Sequence, residues 1–197
     1  MLILSKNPII NCRFQPFDFD TKLELMVLEK GMLACTVKSP KQEYVILSTH
    51  LVALGLSESP TNPHVEIIRS KQIKQLIKYA NILVSENPNR LLVITGDFNA
   101  GPEASNSNYM LLLDHFIDLF ALDEQENGEN TIRYTWLPGF DDNIAARKIF
   151  KESPPQRIDM ILIPKDQKHL LTSTSDVEII PNTFSDHSAV VSEITTD

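Results

Sequence analysis

The sequence predicts a layered domain that mixes strands and helices, of α/β or α+β type, on three observations. Short apolar, β-branched-rich runs alternate with stretches that keep a helical period. The polar residues suited to chemistry sit where those runs end. No repeat, low-complexity tract or Gly/Ser linker divides the chain. Residues 1–197 are therefore expected to form a single domain, long enough to bury a real hydrophobic core.

The elements follow in order. Met1-Leu2-Ile3-Leu4-Ser5-Lys6-Asn7-Pro8 starts as a strand that Pro8 ends. Met32 to Lys38 and Tyr44 to His50 are strand-like runs joined by a polar loop, Ser39 to Glu43, which is a hairpin signal. His50 then lies at a strand's C-terminal end. Asn62 can cap a helix and Pro63 suits its first position. Val65, Ile68, Ile73, Leu76, Ile77, Ala80, Leu83 and Val84 keep the helical period until Asn87-Pro88 stops it. Leu91 to Thr95 is a continuous apolar run, a buried strand that delivers Gly96-Asp97-Phe98-Asn99. A second helix is expected over about Asn106 to Leu113, and a solvated acidic loop from Asp123 to Asn130. Thr135-Trp136 opens an irregular stretch, Leu137 to Pro155. Strands follow at Arg157 to Ile163, Val177 to Ile180 and Ser188 to Ile194, the last after Ser185-Asp186-His187.

Composition narrows the function classes. A net charge of −8 argues against a protein that coats duplex DNA, which needs a basic face. It leaves room for an enzyme with a small site, because a bound metal supplies local positive charge. Cys12 and Cys35 are too few for a disulfide framework and are expected as free thiols, although one bridge between them is compatible with the sequence. No apolar run is long enough to cross a bilayer, and the start is too soon polar for a secretory signal. A soluble, cytoplasmic chain is the default expectation.

Phosphodiester hydrolysis needs few parts: stabilised charge on the non-bridging oxygens, an oriented and deprotonated water, and help for the leaving oxygen. Carboxylates bind a hard divalent ion through oxygen, asparagine donates to phosphate without adding negative charge, and histidine donates or transfers a proton. Asp97 and Asn99, two apart at a strand end, share one side of the backbone, while Phe98 points into the core. Each signal alone has a bland alternative. Asp-x-Asn makes ordinary turns, Asp186-His187 is a common loop pair, Arg157 and Asp159 form a plausible surface salt bridge, and His50 suits a satisfied buried histidine. His64, His115 and His169 are expected to be ordinary surface or core residues.

Taken together, Thr49-His50-Leu51, Gly96-Asp97-Phe98-Asn99, Arg157-Ile158-Asp159 and Ser185-Asp186-His187 form an ordered set at strand ends. That set resembles the endonuclease/exonuclease/phosphatase superfamily, whose fold is that of deoxyribonuclease I, along the whole chain. Arg69 and Gln72 lie on the expected helix. Lys30-Gly31 and Thr135-Trp136 look most like its neutral sphingomyelinase-like branch.

The resemblance implies an α+β, four-layer α/β/β/α sandwich and a metal-dependent phosphodiesterase using Mg²⁺ or Mn²⁺. It implies His50 and His187 flanking the phosphate, Asp97 orienting or deprotonating water, Asn99 holding a phosphate oxygen and Asp159 fixing a histidine tautomer. Asp186, with Asp97 and Asn99, would bind the metal or orient its waters. The substrate would be a phosphodiester, either a lipid headgroup or nucleic acid, and the acidic balance leans toward the lipid.

The family also has an N-terminal portion carrying its first strands and a glutamate metal ligand. Nothing here occupies that place, since Glu24 and Glu29 come too late. The sandwich is therefore expected to lack its N-terminal strands and to expose a sheet edge that invites self-association or a partner chain. The chain is expected to be weak or inactive alone. Two other readings stay open: a nuclease of the same superfamily, and a non-catalytic remnant or partner-completed half.

Overall fold

The computed structural model describes residues 1–20, 29–53, 63–127, 134–137, 154–174, 177–180 and 185–196. Its centre is a six-stranded sheet in the order β1-β2-β3-β4-β6-β5. The strands are β1 (Ile9–Pro16), β2 (Gly31–Lys38), β3 (Glu43–His50), β4 (Leu92–Asp97), β5 (Phe116–Asp118) and β6 (Asp159–Pro164). β2 and β3 form the expected antiparallel hairpin. β3 and β4 run parallel, which requires a crossover, and helix α1 (Pro63–Glu86) makes it.

The hydrophobic pattern explains the layering. Ala34, Val45, Leu47, Leu92, Ile94, Met160 and Leu162 face one side of the sheet and meet Ile73, Leu76, Ile77, Ala80 and Leu83 of α1. Tyr109 and Leu112 of α2 (Asn106–Leu113) complete that core. Val93 and Ile163, with the partly buried Tyr44, Ile46 and Ile161, face the other side. There they meet Leu119 and Phe120 of α3 (Leu119–Asn127). Val177, Ile179, Val190 and Ile194 join the same cluster. Strands β7 (Ser173–Thr174), β8 (Glu178–Ile180), β9 (Ala189–Val191) and β10 (Ile194–Thr195) pair as β7–β10 and β8–β9. Among the described residues these short pairs are the strands outside the central sheet, where a layer lacking its N-terminal strands was expected. The architecture is the expected α+β sandwich.

Several elements differ from the expectation. Met1–Pro8 carries no strand, and pairing begins at Ile9, after the proline. β1 is an edge strand with exposed Ile10 and Phe14. Cys12 lies opposite Cys35 across β1 and β2, and the two form a disulfide rather than free thiols. The acidic run from Asp123 is helical as far as Asn127, because Asp118 Oδ1 accepts the Phe120 N–H at 3.1 Å and caps its start, and Asp123 is buried. The single strand expected over Ser188–Ile194 is split into β9 and β10, which pair with different partners. The cap at Asn62 and most of the stretch from Leu137 to Pro155 lie outside the described residues. His64, His115 and His169 are exposed, as expected. No described helix is long and apolar enough to cross a membrane.

Candidate active site

The site is a row across three strands. His50 ends β3 and pairs in register with Asp97 at the end of β4, and Asp97 pairs with Asp159 at the start of β6. Because β6 runs antiparallel to β4, its first residue meets the last residue of β4, and all three side chains collect at one end of the sheet.

Each residue of Gly96-Asp97-Phe98-Asn99 has a local reason. Gly96 has φ +152°, and a Cβ there would sit 2.0 Å from the Thr49 carbonyl oxygen, so only glycine lets β3 and β4 approach this closely. Phe98 is fully buried and its N–H bonds the Ile158 carbonyl at 2.8 Å. Asn99 takes φ 47°, the left-handed region that asparagine tolerates, and its N–H donates to Asp97 Oδ1 at 2.9 Å. The turn thus occupies one carboxylate oxygen. The other, Oδ2, lies 3.4 Å from His50 Nε2 and 4.0 Å from His187 Nε2.

His187 is held from behind. Its Nδ1 meets Asp159 Oδ2 at 2.8 Å, which fixes the ring so that Nε2 faces Asp97. Burial works against the imidazolium. The hydrogen bond and charge of Asp159, helped by Asp97 and Asp186, outweigh it and raise the His187 pKa to about 9. Asp97 is pushed up to about 6, first by burial and then by the Asp159 charge, against the pull of His187, the Asn99 N–H and Lys30. Between these values the site holds an anionic Asp97 beside a cationic His187.

Of the expected residues, His50, Asp97, Asp159 and His187 are brought together. Asn99 lines the same turn and donates through Nδ2 to the Leu51 carbonyl at 3.3 Å. Asp186 is exposed and acts on His187 through its charge. Asp97, Asp159 and His187 each place a ligand atom within 4.8 Å of the others. His187 is bonded to Asp159 through Nδ1, so Nε2 is the atom it would turn toward a cation or a phosphate. The Asp97 carboxylate, crowded by Asp159, fits a hard divalent cation.

Two features lay beyond the sequence reading. Buried Lys30 donates through Nζ to the Leu51 carbonyl at 2.8 Å, the oxygen that Asn99 Nδ2 also reaches. Lys30-Gly31 entered the sequence reading as a point of resemblance, without a part in the site. Arg157 does not pair with Asp159. It is buried, donates to Asp118 Oδ2 at 2.5 Å and to the Tyr109 hydroxyl at 3.0 Å, and packs over Phe120.

Comparison with known proteins agrees with this geometry. Residues 1–187 match the model of the Endonuclease/Exonuclease/phosphatase family. No curated protein sequence matches the chain. Among solved structures, a beta toxin of Staphylococcus aureus superposes with TM-score 0.72 at 17% identity, covering 96% of this chain and 65% of that one. A variant of that toxin with bound magnesium ions gives 0.66 at 18%, covering 95% and 65%. Sphingomyelinase C from Streptomyces griseocarneus gives 0.66 at 15%, covering 95% and 65%. TDP2 from Caenorhabditis elegans gives 0.68 at 15%, covering 97% and 52%. The chain thus spans less than two thirds of the length of each of these structures. These likenesses show the deoxyribonuclease I-like fold, and the match over residues 1–187 shows that the chain belongs to the Endonuclease/Exonuclease/phosphatase family.

Proposed function

We propose that this chain hydrolyses a phosphodiester with the help of Mg²⁺ or Mn²⁺, and that a lipid phosphodiester such as sphingomyelin is preferred over polynucleotide. The observation that carries this is the row His50–Asp97–Asp159 with His187 locked behind it at 2.8 Å. Ionised Asp97 takes a proton from the attacking water, whose oxygen bonds to phosphorus as the P–O bond to the leaving group breaks. The His187 imidazolium donates from Nε2 to a phosphoryl oxygen or to the departing oxygen. His50 donates from the other side, and Asn99 holds a phosphate oxygen. Asp97, with Asn99 and Asp186, would hold the divalent cation, which when bound offsets charge on the phosphate.

The lipid preference is supported by the acidic balance of −8 and by the name of one neighbour, sphingomyelinase C. The test compares sphingomyelin with single- and double-stranded DNA under Mg²⁺, using the chain and Asp97→Ala. Release of phosphocholine that Asp97→Ala abolishes is the expected result. Cleavage of DNA with the lipid untouched would overturn the preference for lipid.

Calorimetric titration with Mg²⁺ or Mn²⁺ tests the cation directly, and absence of binding would overturn the metal-dependent reading.

A further inference from the structure

Thr135 is fully buried, and its hydroxyl is committed twice. Oγ1 accepts the N–H of Ile158 at 3.0 Å and the N–H of Asp159 at 3.0 Å. Its own N–H donates to the Gln156 carbonyl at 3.0 Å, and its carbonyl accepts the Ser188 N–H at 2.7 Å. The neighbouring Trp136 bridges both Gln156 and His187. One residue is therefore tied to the backbone of Asp159 on one side and to the residue after His187 on the other.

The arrangement is more specific than core packing requires. A valine would fill nearly the same volume, but it would leave the buried N–H of Ile158 and the partly buried N–H of Asp159 without this acceptor. Ile158 has little freedom of its own, because its carbonyl is taken by Phe98 N–H in the Asp97 turn. Small movements at Ile158–Asp159 would therefore reach both carboxylates of the site.

We propose that Thr135 is a positioning residue, which sets the separation of Asp159 and His187 by bonding the backbone on both sides of that pair. The catalytic part of this inference rests on the phosphodiesterase reading above; the structural part does not.

Three variants test it: Thr135→Val removes the acceptor, Thr135→Ser keeps it, and Thr135→Cys replaces it with a weak one. With a chromogenic phosphodiester and Mg²⁺, Val and Cys should lower kcat by about 100-fold while KM stays within about threefold, the pattern of misplaced catalytic groups. Ser should stay within about threefold of the parent in both. Amide hydrogen exchange, which needs no turnover, should quicken about tenfold at Ile158 and Asp159 in Val and Cys, and not in Ser. If Val does not fold, Cys and Ser decide. The proposal is overturned by a folded Val or Cys variant with parental kcat, by Ser failing as Val does, or by exchange that quickens evenly over the sheet. If the parent chain shows no turnover at all, the phosphodiesterase reading falls, and the exchange pattern alone decides the role of Thr135.

Discussion

Asp159→Asn should drop the His187 pKa by about two units while leaving the site's shape nearly intact. The magnitude follows from the contacts. His187 sits at about 9, against an ordinary 6.5, because the Asp159 hydrogen bond and charge exceed the burial penalty. That difference corresponds to roughly 3 kcal/mol as a ceiling, and the ring's 29% exposure reduces it through solvent screening. Asparagine keeps an oxygen near Nδ1 but loses the charge. Burial is then opposed only by the charges of Asp97 and Asp186, so the titration should fall back toward the ordinary 6.5.

The assay is NMR of the imidazole resonances against pH in chelator-treated protein, with His187→Gln assigning the signal. A linked stability effect gives an independent check. The native His187 binds an extra proton between about 6.5 and about 9. Its stabilisation is full below 6.5 and is lost as pH rises through 9. Urea midpoints of the parent should therefore fall over that interval more than those of Asp159→Asn. If His187 still titrates near 9 in Asp159→Asn, the pair is not what holds the proton, and the orienting role assigned to Asp159 is wrong.

Turnover should follow a bell, rising at or below about 6 as Asp97 ionises, since a cation held there favours the carboxylate, and falling through about 9 as His187 loses its proton; Lys30→Met should move the rising limb upward, and a flat profile from about 4 to about 10 would contradict both assignments. Gly96→Ala should destabilise by about 2–4 kcal/mol, measured by urea denaturation, because its Cβ would meet the Thr49 carbonyl at 2.0 Å and its φ is +152°. Replacing both Cys12 and Cys35 with serine should cost about 3 kcal/mol, the loop-closure entropy expected for a separation of 23 residues, and an unchanged urea midpoint would show the bond to be unimportant to stability.

What the sequence made legible was whatever leaves a local trace. The run Leu91–Thr95 is a strand because all its neighbours bury it, so its apolar character is continuous. Asp97 and Asn99 were recognisable because the turn that presents them needs glycine before and a left-handed asparagine after. β1 was missed because an edge strand buries almost nothing, and Ile10, Cys12 and Phe14 alternate with polar residues without a core behind them. The disulfide was missed for the same reason, since Cys12 faces Cys35 only once β1 is known to pair with β2. α3 did leave a trace that the reading did not use: Asp118 before Leu119-Phe120 is a capping signal, and the acidic run that follows was taken for a loop. Arg157 left none. Its partner Asp118 lies 39 residues away, and only the pairing of β5 with β6 brings the two together.

The pairing of β4 with β6 explains why the site has the charge it has. Strand register places two carboxylates, Asp97 and Asp159, directly opposite each other, an arrangement that costs free energy unless cations answer it. His187 answers with a proton held to about 9, and Lys30, buried beside the Asp97 turn, supplies a second positive charge. The four groups then sum to zero. A phosphodiester adds one negative charge and its transition state concentrates more, so the pocket as built would become net negative at the moment of reaction. Exposed Asp186 adds to that excess. A divalent cation at Asp97 would cancel that excess, so the proposed activity should depend on metal most steeply above pH 6, where Asp97 is ionised and can bind the cation.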